Sequence, residues 1–186
     1  MIYDENITKR DAINSFKRKW WVYLICVVSA VLLNCFVYYL FTKPKMSEQF
    51  YVWVSAPANF EKELINDIKT TAKENDKKVV HVENYDPNSS NYFKLFGTKG
   101  GIMTNIFVFN KSEIELHDAK DFYLSLENSP FVDLEDNYII DGVPYGVHLA
   151  GDYYMLINWH NKSYDTCYAV IQTILDYVEE NGYEVG

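Results

Sequence analysis

Residues 20–41 read WWVYLICVVSAVLLNCFVYYLF, 22 consecutive residues without a charge. A helix of that length rises about 33 Å at about 1.5 Å per residue, enough to cross a hydrocarbon core of about 30 Å. A cleaved signal peptide would carry a shorter apolar core, about 7–15 residues, and a small-residue cleavage site. This run instead ends in Tyr38, Tyr39, Leu40 and Phe41, with no A-x-A pattern after it. It reads as an uncleaved transmembrane anchor. Trp20, Trp21 and Tyr23 at one end and Tyr38 and Tyr39 at the other suit the two headgroup levels, where amphipathic rings settle. Asn34 is the one strongly polar residue inside, and a single amide is cheap enough there to be incidental.

Charge gives the direction. Lys9, Arg10, Lys17, Arg18 and Lys19 precede the run, whereas Lys43 and Lys45 follow it. The positive-inside rule then predicts a cytoplasmic tail over 1–19, the transmembrane helix over 20–41, a stalk over 42–49 and an extracytoplasmic domain over 50–186. After Lys45 the chain holds ten Lys, no Arg and 23 Asp plus Glu, a net −13. Such a domain repels phosphate backbones, which argues against nucleic acid as a partner. Cys26 and Cys35 fall in the anchor and leave Cys167 alone in the domain, so no disulfide within it is available and a packed core must hold it.

The domain alternates element types. Phe50–Val54, Val79–Val82 and Ile102–Phe109 are apolar, β-rich runs. Between the first two, Phe60, Leu64, Ile65, Ile68 and Ala72 share one helical face, with Asn59 as cap. Tyr92, Phe93, Leu95 and Phe96 predict a short helix ended by Gly97, with Gly100-Gly101 as a turn. A further short helix is expected over Asp118–Leu126. Tyr138–Ile140, Asp141-Gly142 and Val143–Leu149 read as a hairpin, and Tyr153–Trp159 as the last strand. Asn161 would cap a final helix whose stripe is Tyr164, Cys167, Tyr168, Ile171, Ile174, Leu175 and Val178. This order predicts a three-layer α/β domain with a mainly parallel sheet. Trp53, Trp159 and Cys167 are expected in its core.

Chemistry is sparse. His81, His117, His148 and His160 show no metal-ligand spacing, and CxxC is absent. Asp133, Glu135 and Asp136 lack the calcium-loop pattern and read as a solvated acidic loop. Gly97–Gly101 lacks the GK[ST] ending of a phosphate loop and precedes a strand. No catalytic residue, metal or cofactor is assigned. In an open parallel sheet, ligands sit beyond the carboxyl ends of the strands. Those ends carry Ser55, Asn84, Tyr85, Asp86 and Asn110, an aromatic and amide set suited to a small polar ligand such as a sugar.

Asn105–Phe109 (NIFVF) and the stretch GDYYMLINWHNKSYDTCYAVIQTILDYV resemble the strand of the "D-I-F-V" type and the return strand and helix of bacterial extracellular solute-binding proteins. With Thr8–Arg10 and Lys19–Trp21 before the anchor, the chain also resembles single-pass membrane proteins of Gram-positive bacteria that carry such a domain. The resemblance implies one lobe of a periplasmic-binding-protein fold, where true solute-binding proteins have two. The lack of any nucleophile–base or metal pattern favours a binding or accessory module, docked on a membrane partner such as a transporter or sensing a small polar ligand, over an enzyme. The alternative is an extracytoplasmic hydrolase acting on envelope material.

Overall fold

A computed structural model describes residues 9–56, 58–117, 119–160 and 162–182. The chain divides into two units, Met1–Lys43 and Pro44–Gly186. In the first, helix α1 runs Lys9–Thr42. Its segment Asn14–Thr42 is long and apolar enough to span a membrane. The Asn34 amide donates to the Ala30 carbonyl at 2.8 Å, so it is satisfied within its own helix.

The second unit is α/β. Its strands are β1 (Gln49–Ser55), β2 (Val79–Tyr85), β3 (Ile106–Asn110), β4 (Tyr138–Ile140), β5 (Val143–Ala150) and β6 (Tyr153–Ile157). They form one sheet in the order β2-β1-β3-β6-β5-β4. Helix α2 (Lys62–Glu74) carries the chain from β1 to β2, and such a crossover makes β1 and β2 parallel. β3 joins the other side of β1, also parallel. The sheet is nevertheless mixed, not mainly parallel as expected. Two-residue turns, Asp141-Gly142 and Gly151-Asp152, force β4, β5 and β6 into an antiparallel meander, and β6 then lies antiparallel against β3.

Strand alternation gives the sheet two apolar faces. On one, Phe50, Val52, Val54, Ile106, Val108 and Met155 pack against α2 and the last helix, α7 (Tyr164–Asn181). The α7 stripe behaves as its spacing predicts, burying Cys167, Ile171 and Ile174 with Val170. On the other face Trp53, Phe107, Phe109 and Leu156 meet a layer built from α3 (Tyr92–Leu95), α4 (Gly101–Met103), α5 (Lys111–Leu116) and α6 (Ala119–Phe122).

Several local expectations are corrected. Helix α2 begins at Lys62 with Glu61 at its cap, because Phe60 is buried before the helix starts. Gly97 ends no helix: Phe96–Gly100 is a π-helical turn that runs into α4, and β3 begins only at Ile106. Gly100 is there for close approach. A Cβ on it would lie 2.9 Å from Phe96 Cδ2 and 3.2 Å from Trp53 Cζ3. The helix expected over 118–126 shrinks to α6, as Tyr123 leaves to bridge Asn158; Asp118 lies outside the described residues. Asn161, the expected cap of α7, also lies outside them, and Ser163 occupies that position. Trp159 is 47% exposed rather than core, since the β6 ladder stops at Ile157.

The Asp141-Gly142 turn has φ of 52° and 84°, both left-handed. Gly142→Ala should therefore cost about 1–2 kcal/mol, the penalty a Cβ meets in that region, read as a lower denaturant midpoint.

Candidate functional site

Ser55, Tyr85 and Asn110 are the last residues of β1, β2 and β3, so the parallel part of the sheet brings them to one edge. Asn110 ends its strand by opening a helix. Its Oδ1 accepts the Glu113 N–H at 2.9 Å, and the Glu113 carboxylate accepts the Asn110 N–H at 3.3 Å, a reciprocal cap. That cap turns Glu113 inward, where it is 3% exposed. Its Oε1 accepts the Ser55 hydroxyl at 2.7 Å and the Tyr92 hydroxyl at 2.9 Å. Burial pushes the Glu113 carboxyl above its usual range, against the lowering effect of Ser55, Tyr92 and the Asn110 N–H. Burial first, then the Glu113 charge, raises the Tyr92 hydroxyl. Ser55 is itself fully buried.

Tyr85 stacks on Trp53, rings 3.5 Å apart and inclined by 13°. Its hydroxyl donates to the Glu83 carboxylate, which also pairs with Lys99. Lys99 Nζ donates to the same hydroxyl at 3.1 Å. Burial opposes ionisation of Glu83, but the donors from Lys99 and Tyr85 outweigh it and hold its pKa below the ordinary value. Asn84 and Asp86 do not join this cluster. Asn84 is exposed and, by strand alternation, points to the other face. Asp86 is exposed and accepts the Asn88 N–H at 2.9 Å, a local turn.

An open groove of about 450 Å³ lies at the end of β3, lined by Asn110, Lys111, Ser112, Glu115, Asp152 and Tyr153. The Lys111 N–H donates to the Asp152 carbonyl at 2.9 Å and ties the two sides together. The groove presents an amide, a hydroxyl and both signs of charge, chemistry that suits a small, strongly polar molecule. Of the two capping residues the strand-end argument points to Asn110 and not to Glu113. The signal was Asn-x-x-Glu immediately after a strand, which is capping-box spacing.

The other titratable groups are either packed or exposed on the surface. The His117 ring stacks on Phe96 at 4.2 Å, and burial lowers its pKa. His148 Nε2 lies 2.9 Å from the Gly151 carbonyl, and His160 packs on Trp159. Asp133, Glu135 and Asp136 are exposed. Among the described residues no three His, Cys, Asp or Glu side chains are grouped to hold a metal. Cys167 is fully buried, and burial pushes its thiol up to about 12. Iodoacetamide should therefore modify Cys167 only at the rate of unfolding, and brisk native-state modification, followed by mass spectrometry, would contradict its burial.

No family model matches the chain, and no curated protein matches it. Among solved structures, thiaminase I from Bacillus thiaminolyticus aligns with 53% of this chain at 10% identity and a TM-score of 0.35. The aligned part is 27% of that enzyme, so this chain matches about a quarter of its length. A similarity of that extent bears on neither activity nor ligand, and the functional reading rests on the chain's own residues.

Proposed function

We propose that this chain is a membrane-anchored, extracytoplasmic binding or accessory module of a bacterial envelope, solute-binding-protein-like, associated with a transporter or sensing system. In this reading 1–19 is cytoplasmic, 20–41 crosses the membrane, and 50–186 is the outer domain. The observation that carries the ligand half is the polar groove around Asn110, Lys111, Ser112 and Asp152, which opens at the carboxyl end of a parallel pair of strands. The hydrolase alternative would draw on Ser55 and Glu113. That hydroxyl and carboxylate are in contact, but both are buried between the sheet and α3, so a substrate would need that layer to open.

The test is thermal unfolding of the full chain in lipid nanodiscs against panels of sugars, amino acids and short peptides. A ligand of the native state at 100 times its Kd should add about 2.7 kcal/mol. Ser112→Ala and Glu115→Gln should weaken that stabilisation while leaving the ligand-free stability within about 0.5 kcal/mol. Absence of stabilisation by every member would sink the ligand-sensing reading and leave the accessory one.

A further inference from the structure

The end of the domain away from that groove carries apolar side chains that the fold does not use. Met46 is 53% exposed, Ile102 65% and Trp159 47%. Met46 and Ile102 line one shallow groove with His160 and Lys162, and the Trp159 ring lies 4.4 Å from that of His160. The patch is held in place. Lys77 Nζ donates to the Ser47 carbonyl at 2.9 Å and to Ser163 Oγ at 2.7 Å, pinning the start of the domain beside the start of α7. Glu48, the acid of this segment, is paired with Lys78 at 2.6 Å. Lys45 and Lys162 are exposed.

We infer that this end docks on the headgroup layer of the bilayer that residues 20–41 cross, with Ile102, Trp159 and Met46 entering the interface and Lys45 and Lys162 meeting lipid phosphates. The inference rests on the anchor reading above. Three features select a lipid surface as the occupant. Only Lys43-Pro44-Lys45 separates Thr42 from Met46, so the membrane is the surface this segment meets first. An indole and apolar side chains, with Lys162 in the same groove and Lys45 next to Met46 in the chain, match the amphipathic chemistry of the interface. The net −13 of the chain after Lys45 repels anionic lipid, and this end is the exception because Glu48, the acid of the segment, is paired with Lys78 while Lys45 and Lys162 are exposed.

The test uses the full chain in liposomes with Trp20→Phe and Trp21→Phe, which leaves the buried Trp53 and the exposed Trp159. Phospholipids brominated high on the acyl chain should quench the Trp159 component, and the quench should disappear in Trp159→Phe. Adding Met46→Asp with Ile102→Asp should abolish it while Trp53 emission stays unchanged, which reports an intact fold. A chain that floats with liposomes yet shows no quench, or the same quench in the Asp variants, overturns the docking alone. A chain that washes off in carbonate overturns the anchor reading and the docking with it.

Discussion

Trp53→Ala should lower the stability of the domain by about 3–5 kcal/mol, a large part of the roughly 5–15 kcal/mol that holds an ordinary domain together. Trp53 is 1% exposed and sits where four elements meet. Tyr85 of β2 stacks on it, and Tyr92 and Phe96 meet it edge-on, each with ring centroids 5.9 Å away. Gly100 lets the indole edge approach the π-turn. Truncation leaves a cavity and removes aromatic pairs worth about 0.5–1.5 kcal/mol each beyond their area. Gly100→Ala is the milder form of the same insult, costing about 1–3 kcal/mol, because Phe96 and Trp53 must shift. Trp159→Ala, at an exposed site, should stay within about 0.5 kcal/mol. Denaturant titrations of the three variants check the contrast; equal effects of Trp53→Ala and Trp159→Ala would contradict the packing described.

Glu113→Ala should cost at least about 3 kcal/mol. It strands the Ser55 and Tyr92 hydroxyls and the Asn110 N–H, at about 1–3 kcal/mol per buried unpaired group. Glu113→Gln keeps an acceptor and removes the charge, so its signature is in pH. The folded carboxyl has its pKa raised above the ordinary 4.5, chiefly by burial. The folded state therefore binds that proton more tightly than the unfolded chain. This contribution to stability is fully present below the unfolded pKa and is lost as pH rises through the folded one. Wild type should lose stability relative to Glu113→Gln as pH climbs from about 4.5 into the raised range. Subtracting the two curves removes groups common to both, such as Glu83. Parallel curves, or a gap of the opposite sign, would contradict the buried-carboxyl assignment.

What could be read from the sequence is what local pattern encodes. The α7 stripe follows a helical period, so its buried face was legible from Cys167, Ile171 and Ile174. Asp141-Gly142 marked its hairpin because that dipeptide tolerates left-handed φ. The direction of β6 was not legible, because nothing local in YYMLI says that its neighbour will be β3. The same run misled about Trp159, whose apolar pattern continues two residues past the last ladder pair. The strand ends put Ser55, Tyr85 and Asn110 at one edge, but of these only Asn110 lines the groove, while Ser55 is buried under Glu113, Tyr85 is held by Trp53 and Glu83, Asn84 belongs to the opposite face and Asp86 to a surface turn. Glu113 was missed because a carboxylate in the first turn of a helix ordinarily faces water. Its burial is decided by Tyr92 and Ser55, 21 and 58 residues away in the chain.

Thiol labelling in intact cells reads out directly whether the anchored domain is displayed outside the cell. Lys94 is exposed on α3, and the native Cys167 is buried. Lys94→Cys, expressed as the full chain with Cys26→Ser and Cys35→Ser, should react with a membrane-impermeant maleimide without permeabilisation and should fractionate with membranes. Labelling that appears only after the cells are opened would contradict an outward-facing domain.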